Sequence, residues 1–316
     1  MASADATALT QVFHHRDNTR EYAIHWKSLG PDDAPPLVLI HGTPWSSRVW
    51  ASYAKTLSNR FKVYLFDNAG YGQTKAAISP SDPSDLSASL ATQAAAFAAL
   101  YHHCWKFAER DQVPHVIAHD YGGIITLRGN LLHDCAYASL LLIDVVAVTP
   151  FGSPFFRLVA SNPDVFNAVH DSVFEGMIRG YIKDAYFKPL PQGVEDMIVE
   201  PWIKGGSQGQ EAFIRQIVQT DQKDVEEVEH RLAEVGNTIP VKVIWGAEDR
   251  WIPSTRGEKL ASLIGARQLI QVEEAGHLIL YDQPERLATE VALWLTEVGG
   301  ISNDFGGKEE RSQLEI

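Results

Sequence analysis

Short apolar runs alternate along this chain with longer stretches of helical spacing. Six runs read as strands: 37–40 (LVLI), 62–66 (KVYLF), 115–118 (HVIA), 139–145 (SLLLIDV), 241–245 (VKVIW) and 268–272 (QLIQV). Their apolar positions are continuous, as in strands covered on both faces. Ahead of them, residues 11–15 and 20–28 alternate between apolar and polar, as an exposed hairpin does. The Ala-rich stretch 86–111 predicts one long helix. Together these elements predict an α/β protein with a mostly parallel, eight-stranded sheet flanked by helices. Residues 150 to 236 break the alternation: they open with TPFGSPFF, contain helical segments and show no clear strand. They are expected to form an inserted helical lid between the sixth and seventh strands. The expected division is a core of 1–150 and 237–300, a helical cap of 151–236, and a flexible polar tail of 301–316. No internal repeat is visible.

Composition narrows the function classes. The 316 residues carry 27 basic and 40 acidic side chains, a net charge of −13, with 45% apolar and 21% charged residues. That mix excludes a disordered chain. The acidic balance argues against nucleic-acid or anionic-membrane partners, because no basic patch is present to release counterions. No apolar run approaches the roughly 18 residues of a membrane span. The N-terminus MASADATALTQ lacks a basic head and an apolar segment, so no secretory signal is expected. With Cys104 and Cys135 too few for a disulfide framework, a reducing, cytoplasmic location is the expectation. The expected partner is a small-molecule substrate; composition sets no oligomeric state.

Candidate chemistry collects at strand ends. His41-Gly42 follows the third strand, Asp67-Asn68-Ala69-Gly70 the fourth, and Asp120 to Gly123 the fifth. Gly246-Ala247-Glu248-Asp249 follows the seventh, and His277 follows the eighth. Ligands of open α/β sheets bind at such carboxyl ends. In Ala118-His119-Asp120-Tyr121-Gly122-Gly123 an apolar strand turns sharply into a helix between small residues. This is the layout of a G-x-S-x-G nucleophile elbow, with Asp120 in the serine position. His41-Gly42-Thr43-Pro44 lies where one oxyanion-hole amide originates, and the other amide belongs to Tyr121. Nucleophile, acid and histidine then follow in chain order.

On these motifs the chain resembles α/β-hydrolase-fold proteins over about 10–298. AHDYGG, HGTP, the Asp249 turn and the His277 loop resemble the epoxide hydrolase and haloalkane dehalogenase branch, whose elbow carries Asp. The resemblance implies an Asp120–His277–Asp249 triad beneath a lid. It also shows departures. Related dehalogenases usually carry Trp after the nucleophile and a second donor from Asn or Trp, where this chain has Tyr121 and Thr43. Phe213 and Ile214 stand where a second lid tyrosine is sought.

The residue types then imply a reaction. Aspartate is ionised near neutrality and suits displacement at saturated carbon, giving an Asp120 alkyl ester. His277 would activate a water against that ester, oriented by Asp249, while the amides of Thr43 and Tyr121 hold the oxyanion. Epoxide opening is the leading expectation and haloalkane hydrolysis the alternative. Carbon–carbon or lactone cleavage, or cyclisation, through His277 and Asp249 is a further alternative, as is a ligand-binding protein without catalysis. Tyr181 and Tyr186 are candidate proton donors, Trp45 and Trp202 candidate donors or pocket walls, and His41 a residue that shapes the oxyanion turn. His119 is expected to point away from the site and pack. Asp144, just past the sixth strand, is the rival acid. His14-His15 and His102-His103 lack metal-ligand spacing, so neither a metal nor any other cofactor is expected.

Overall fold

The structure, a computed structural model, describes residues 8–204 and 206–299. The tail expected over 301–316 lies outside the described residues. Strands β1 (Gln11–Arg16) and β2 (Glu21–Leu29) form the antiparallel N-terminal hairpin. The others are β3 (Pro36–Ile40), β4 (Lys62–Phe66), β5 (Ala77–Ile78), β6 (Leu86–Ser87), β7 (His115–His119), β8 (Ser139–Ile143), β9 (Val241–Gly246) and β10 (Gln268–Val272). The sheet order is β10-β9-β8-β7-β3-β4-β2-β5-β6, with β1 paired to β2. From β10 to β4 every pair is parallel. The sheet therefore has ten strands where the apolar runs predict eight. The two additions, β5 and β6, are two-residue strands that carry the antiparallel edge past β2. Pairs this short leave no periodicity to read.

Every residue of β3, β7 and β8 is buried, as strands with helices on both faces require. The flanking helices include α1 (Ala51–Leu57), α2 (Leu90–Ala99) and α3 (Tyr121–His133). The long helix expected over 86–111 is shorter than its composition suggests. Leu86–Ser87 pairs in the sheet, and the Ser89 side chain caps α2 by accepting from the Thr92 amide. After Ala99 the coil widens, the Trp105 amide reaching back to the Leu100 carbonyl, and Lys106 at φ 56° ends it.

Between β8 and β9 the described residues contain helices and no strand: α4 (Pro154–Ser161), α5 (Pro163–Asn167), α6 (Asp171–Lys183), α7 (Val194–Ile203), α8 (Ser207–Val218), α9 (Gln222–Glu229) and α10 (Leu232–Thr238). Helices α4 to α8 pack chiefly on one another. Helices α9 and α10 lean on α3, and α10 also on α11 (Ser254–Ile264). The chain closes with α12 (Ile279–Asp282) and α13 (Pro284–Glu297). Register decides what meets at the sheet's carboxyl edge. Ala118 pairs with Ile40 and His119 with Ile143, so Asp120 leaves the sheet between the Gly42 turn and Asp144.

Candidate active site

Asp120 sits at φ 53°, ψ −121°, a conformation that costs a residue with a Cβ of order 1–3 kcal/mol. Its backbone is held from both sides. The amide donates to Ile143 O at 3.3 Å, and the carbonyl accepts from Gly123 and Val146, each at 3.0 Å. Small neighbours are obligatory here. A Cβ on Gly42 would lie 2.1 Å from Asp120 Oδ1, and one on Gly123 would lie 2.3 Å from the Val145 Cβ.

The carboxylate is gripped at both oxygens. Oδ1 accepts from the amides of Thr43 at 2.7 Å and Tyr121 at 2.6 Å, the two predicted from the motif positions. Oδ2 lies 3.0 Å from His277 Nε2, and His277 Nδ1 lies 2.8 Å from Asp249 Oδ2. Asp249 Oδ1 accepts from the amides of Trp251 at 2.8 Å and Ile252 at 2.9 Å, which fixes its plane. All three side chains are buried. Burial alone would lower the imidazole pKa. The carboxylates at its two nitrogens outweigh that and raise it well above the ordinary value.

Asp144 takes a different place. At φ 46° it turns its Oδ1 to the Gly246 amide, 2.7 Å away, and its buried Oδ2 has no partner. Burial, reinforced by the nearby Asp249 charge, pushes its pKa well up. The carboxylate bonded to the imidazole is that of Asp249.

A small cavity of about 20 Å³ lies over Asp120. Thr43 and Tyr121 line it from the core, Phe151, Phe156 and Tyr181 from the inserted segment, and Trp251 from the loop after β9. The Tyr181 ring stacks on Trp251 with centroids 4.1 Å apart. Burial, then the charge of Asp120, raises its pKa, so it is a phenol at neutral pH.

The other candidates divide. Tyr186 does not line the cavity: α6 ends at Lys183, and past it Tyr186 turns to a separate groove with Pro189 and Gln192. Trp202 is no free donor either, because its indole Nε1 donates to Pro44 O at 2.6 Å. Trp45 packs behind the cavity, stacked on Trp251 at 5.5 Å and tilted against His277 at 5.7 Å. Its Nε1 and that of Trp251 are buried without partners. His41 is buried in the turn after β3. Its Nδ1 is 2.8 Å from Gly42 O, its Nε2 accepts from the Asn68 amide at 2.9 Å, and burial lowers its pKa. His119 is buried outside the cavity lining and stacks on Trp45, with ring centroids 5.5 Å apart. Its Nε2 meets His277 O at 2.8 Å, and its ring lies 5.0 Å from that of His277.

Sequence reasoning missed Tyr71 and Gln216. The Tyr71 and Thr43 hydroxyls donate to Gln216 Oε1 at 2.8 and 3.0 Å, and the buried Gln216 Nε2 has no partner. Two signals were available. Tyr71 belongs to the turn after the fourth strand, and Gln216 is a polar residue inside the buried Phe213–Ile214–Ile217 stripe of α8. No group of acidic, His or Cys side chains able to hold a metal occurs among the described residues, and none of their helices is long and apolar enough to cross a membrane.

A parallel sheet with an acid elbow, two facing amides and an imidazole between carboxylates defines the class of hydrolases built on this sheet. The chain belongs to the alpha/beta hydrolase family, whose model matches residues 37–290. An α/β-hydrolase-fold protein from Burkholderia ambifaria is 37% identical, with a TM-score of 0.74 over 88% of this chain and 99% of the other. The epoxide hydrolase CorEH shares the fold at 20% identity, with a TM-score of 0.66 over 91% of this chain and all of that one (100%). The dihydrolipoyllysine-residue acetyltransferase component of an acetoin cleaving system from Pseudomonas putida is 22% identical over 284 residues. That match covers 86% of this chain and 66% of the acetyltransferase component.

Proposed function

We propose that this hydrolase opens a small apolar substrate at a saturated carbon through an Asp120 ester, with an epoxide as the substrate. The observation that carries the reading is the asymmetric grip on Asp120. Oδ1 already occupies the amide pair, and Oδ2 is left to attack. Oδ2 bonds to the epoxide carbon, the C–O bond breaks, and its electrons pass to the ring oxygen. The Tyr181 phenol, in the cavity wall, gives that oxygen its proton. An alkoxide is a stronger base than a phenolate, so this transfer runs downhill.

Hydrolysis reverses the polarity. His277 Nε2 takes a proton from water, which attacks Cγ of the ester, and Oδ1 becomes the oxyanion. The Thr43 and Tyr121 amides are already in place, each worth about 3 kcal/mol if aligned. Collapse returns the Asp120 carboxylate and releases a diol, and the imidazolium proton restores the phenol. Helices α4 to α8 act as the lid. A halide leaving group is the second reading. It is favoured by the unpartnered Trp251 Nε1, on a residue of the cavity wall.

The test is a single turnover in H₂¹⁸O with styrene oxide and 1-bromohexane as separate probes, followed by mass analysis of the Asp120 peptide. One ¹⁸O in Asp120 with the oxide supports the epoxide reading, and label only with the bromide supports the second. His277→Gln should trap the ester as a mass adduct. Turnover without label, with Asp120→Asn retaining the wild-type rate, would instead assign the chemistry to His277 and Asp249 alone.

A further inference from the structure

The cavity over Asp120 has an outer neighbour. Phe151, Gly152, Ser153, Trp251 and Ile252 line both spaces, and the outer one continues along Pro150, Pro154 and Pro253. The inner walls are aromatic, whereas the charged lining of the outer space is Arg157, Arg250 and Arg256, with no acidic residue. That is a local reversal of sign in a chain of net charge −13. Two of the guanidiniums are tied to the loop that walls the inner cavity. Arg157 Nη1 donates to Gly152 O, and Arg256 Nη1 donates to Thr149 O at 3.1 Å. Arg250 makes a 3.8 Å contact with Asp184, both largely exposed, so screening leaves that pair weak. Glu229, which holds Thr149 of the same loop, is occupied by the Thr149 amide and hydroxyl and by Lys259. Each guanidinium has five donors, so each keeps some for a ligand.

We infer that the substrate is amphiphilic. A compact apolar end carries the reactive carbon to Asp120, and a carboxylate tail stays outside among Arg157, Arg250 and Arg256. This assignment deepens the Asp120-ester reading and rests on it for the reactive end only. Arginine suits the outer role because its planar fork matches a carboxylate at two oxygens. Three guanidiniums at one rim would also draw an anion against the repulsion of the molecule as a whole.

Two arms separate this inference from the ester reading. The first is binding alone, with 4-phenylbutyrate and 4-phenylbutanol compared by calorimetry on the wild-type protein. The carboxylate should bind about tenfold tighter or more at low ionic strength, as for hydrogen bonds to a charged group. Added salt should shrink that preference. If net charge governed instead, salt would help the anion, so the sign of the salt effect decides. R157Q/R250Q/R256Q should bring the ratio toward one, while R157K/R250K/R256K, which keeps the charge, should retain part of it. Equal or weaker binding of the carboxylate, or a ratio unmoved by the glutamine variant, overturns the inference.

The second arm compares 3-phenylglycidate with 3-phenylglycidamide in the Asp120 ¹⁸O assay. Faster labelling from the glycidate supports both readings. Equal labelling from the two overturns the carboxylate tail and leaves the ester standing. A carboxylate preference in binding without label from either probe removes the ester and leaves the anion site.

Discussion

The two oxygens of Asp120 have separate hydrogen-bond partners, and on the proposed ester reading the same contacts set the pH behaviour of His277. Two carboxylates hold the imidazole proton, one at each nitrogen. On the proposed reading, alkylation of Asp120 would neutralise one of them, so the imidazole pKa would fall in the intermediate, when a neutral base is needed. Ester formation should therefore vary little between pH 5 and 8, while ester hydrolysis slows at the acid end. Quenched single turnovers read by mass spectrometry should show more Asp120 adduct at pH 5 than at pH 8. Equal adduct lifetimes would mean that His277 is not the base. The two candidate acids separate in the same assay. Asp249→Asn removes the charge at Nδ1 and should slow hydrolysis by about 10³–10⁴-fold. Asp144→Asn leaves that hydrogen bond in place and should change hydrolysis less than about threefold, since a shift of half a pH unit spans that range.

Two helices of the inserted segment brace the oxyanion turn. From α7, Trp202 donates to Pro44 O, and from α8, Gln216 accepts from the Thr43 and Tyr71 hydroxyls. The amide that holds Asp120 Oδ1 is thus seated partly by the inserted segment. Gln216→Leu would leave two buried hydroxyls without their acceptor, at a cost of about 1–3 kcal/mol. The expected result is a lower thermal midpoint together with slower ester hydrolysis. A lower midpoint with hydrolysis intact would make Gln216 structural only. These contacts also mark how far the sequence could be read. The parallel strands and the elbow were legible, because apolar runs and turn residues are local signals. The start of α2 was not, because it depends on Leu86–Ser87 pairing with a strand elsewhere and on the Ser89 cap. Tyr181 and Tyr186, five positions apart in one motif, looked equivalent. Only the end of α6 between them sends Tyr186 to a different groove. Gln216 enters the site solely by tertiary packing.

For the whole molecule, the buried groups of the site set how stability follows pH. Glu274 and Glu234 have pKa values lowered from 4.5 by Lys188 and Arg231. Both carboxylates are exposed, so screening keeps their contributions small; these are present above 4.5 and fade as the pH falls through the lowered values. His277 has the opposite sign. Its folded pKa is raised, so its contribution is full below 6.5 and declines as the pH rises through the folded value. Asp144 adds to that decline. Its folded pKa lies well above 3.8, so between those limits the folded state binds a proton that the unfolded state has released. The folded state therefore loses stability as the pH rises through that window. Self-repulsion at a net charge of −13 acts in the same direction. The stability maximum should therefore fall on the acid side of neutrality, between about pH 5 and 6.5. Asp144→Asn isolates one contribution, because asparagine keeps an oxygen for the Gly246 amide and has no proton to lose. Urea unfolding of both proteins at pH 4, 6 and 8 should give similar stabilities at pH 4 and a growing advantage for the variant at pH 6 and 8. A difference independent of pH would show that Asp144 is charged in the folded protein and that its unpartnered oxygen carries no proton.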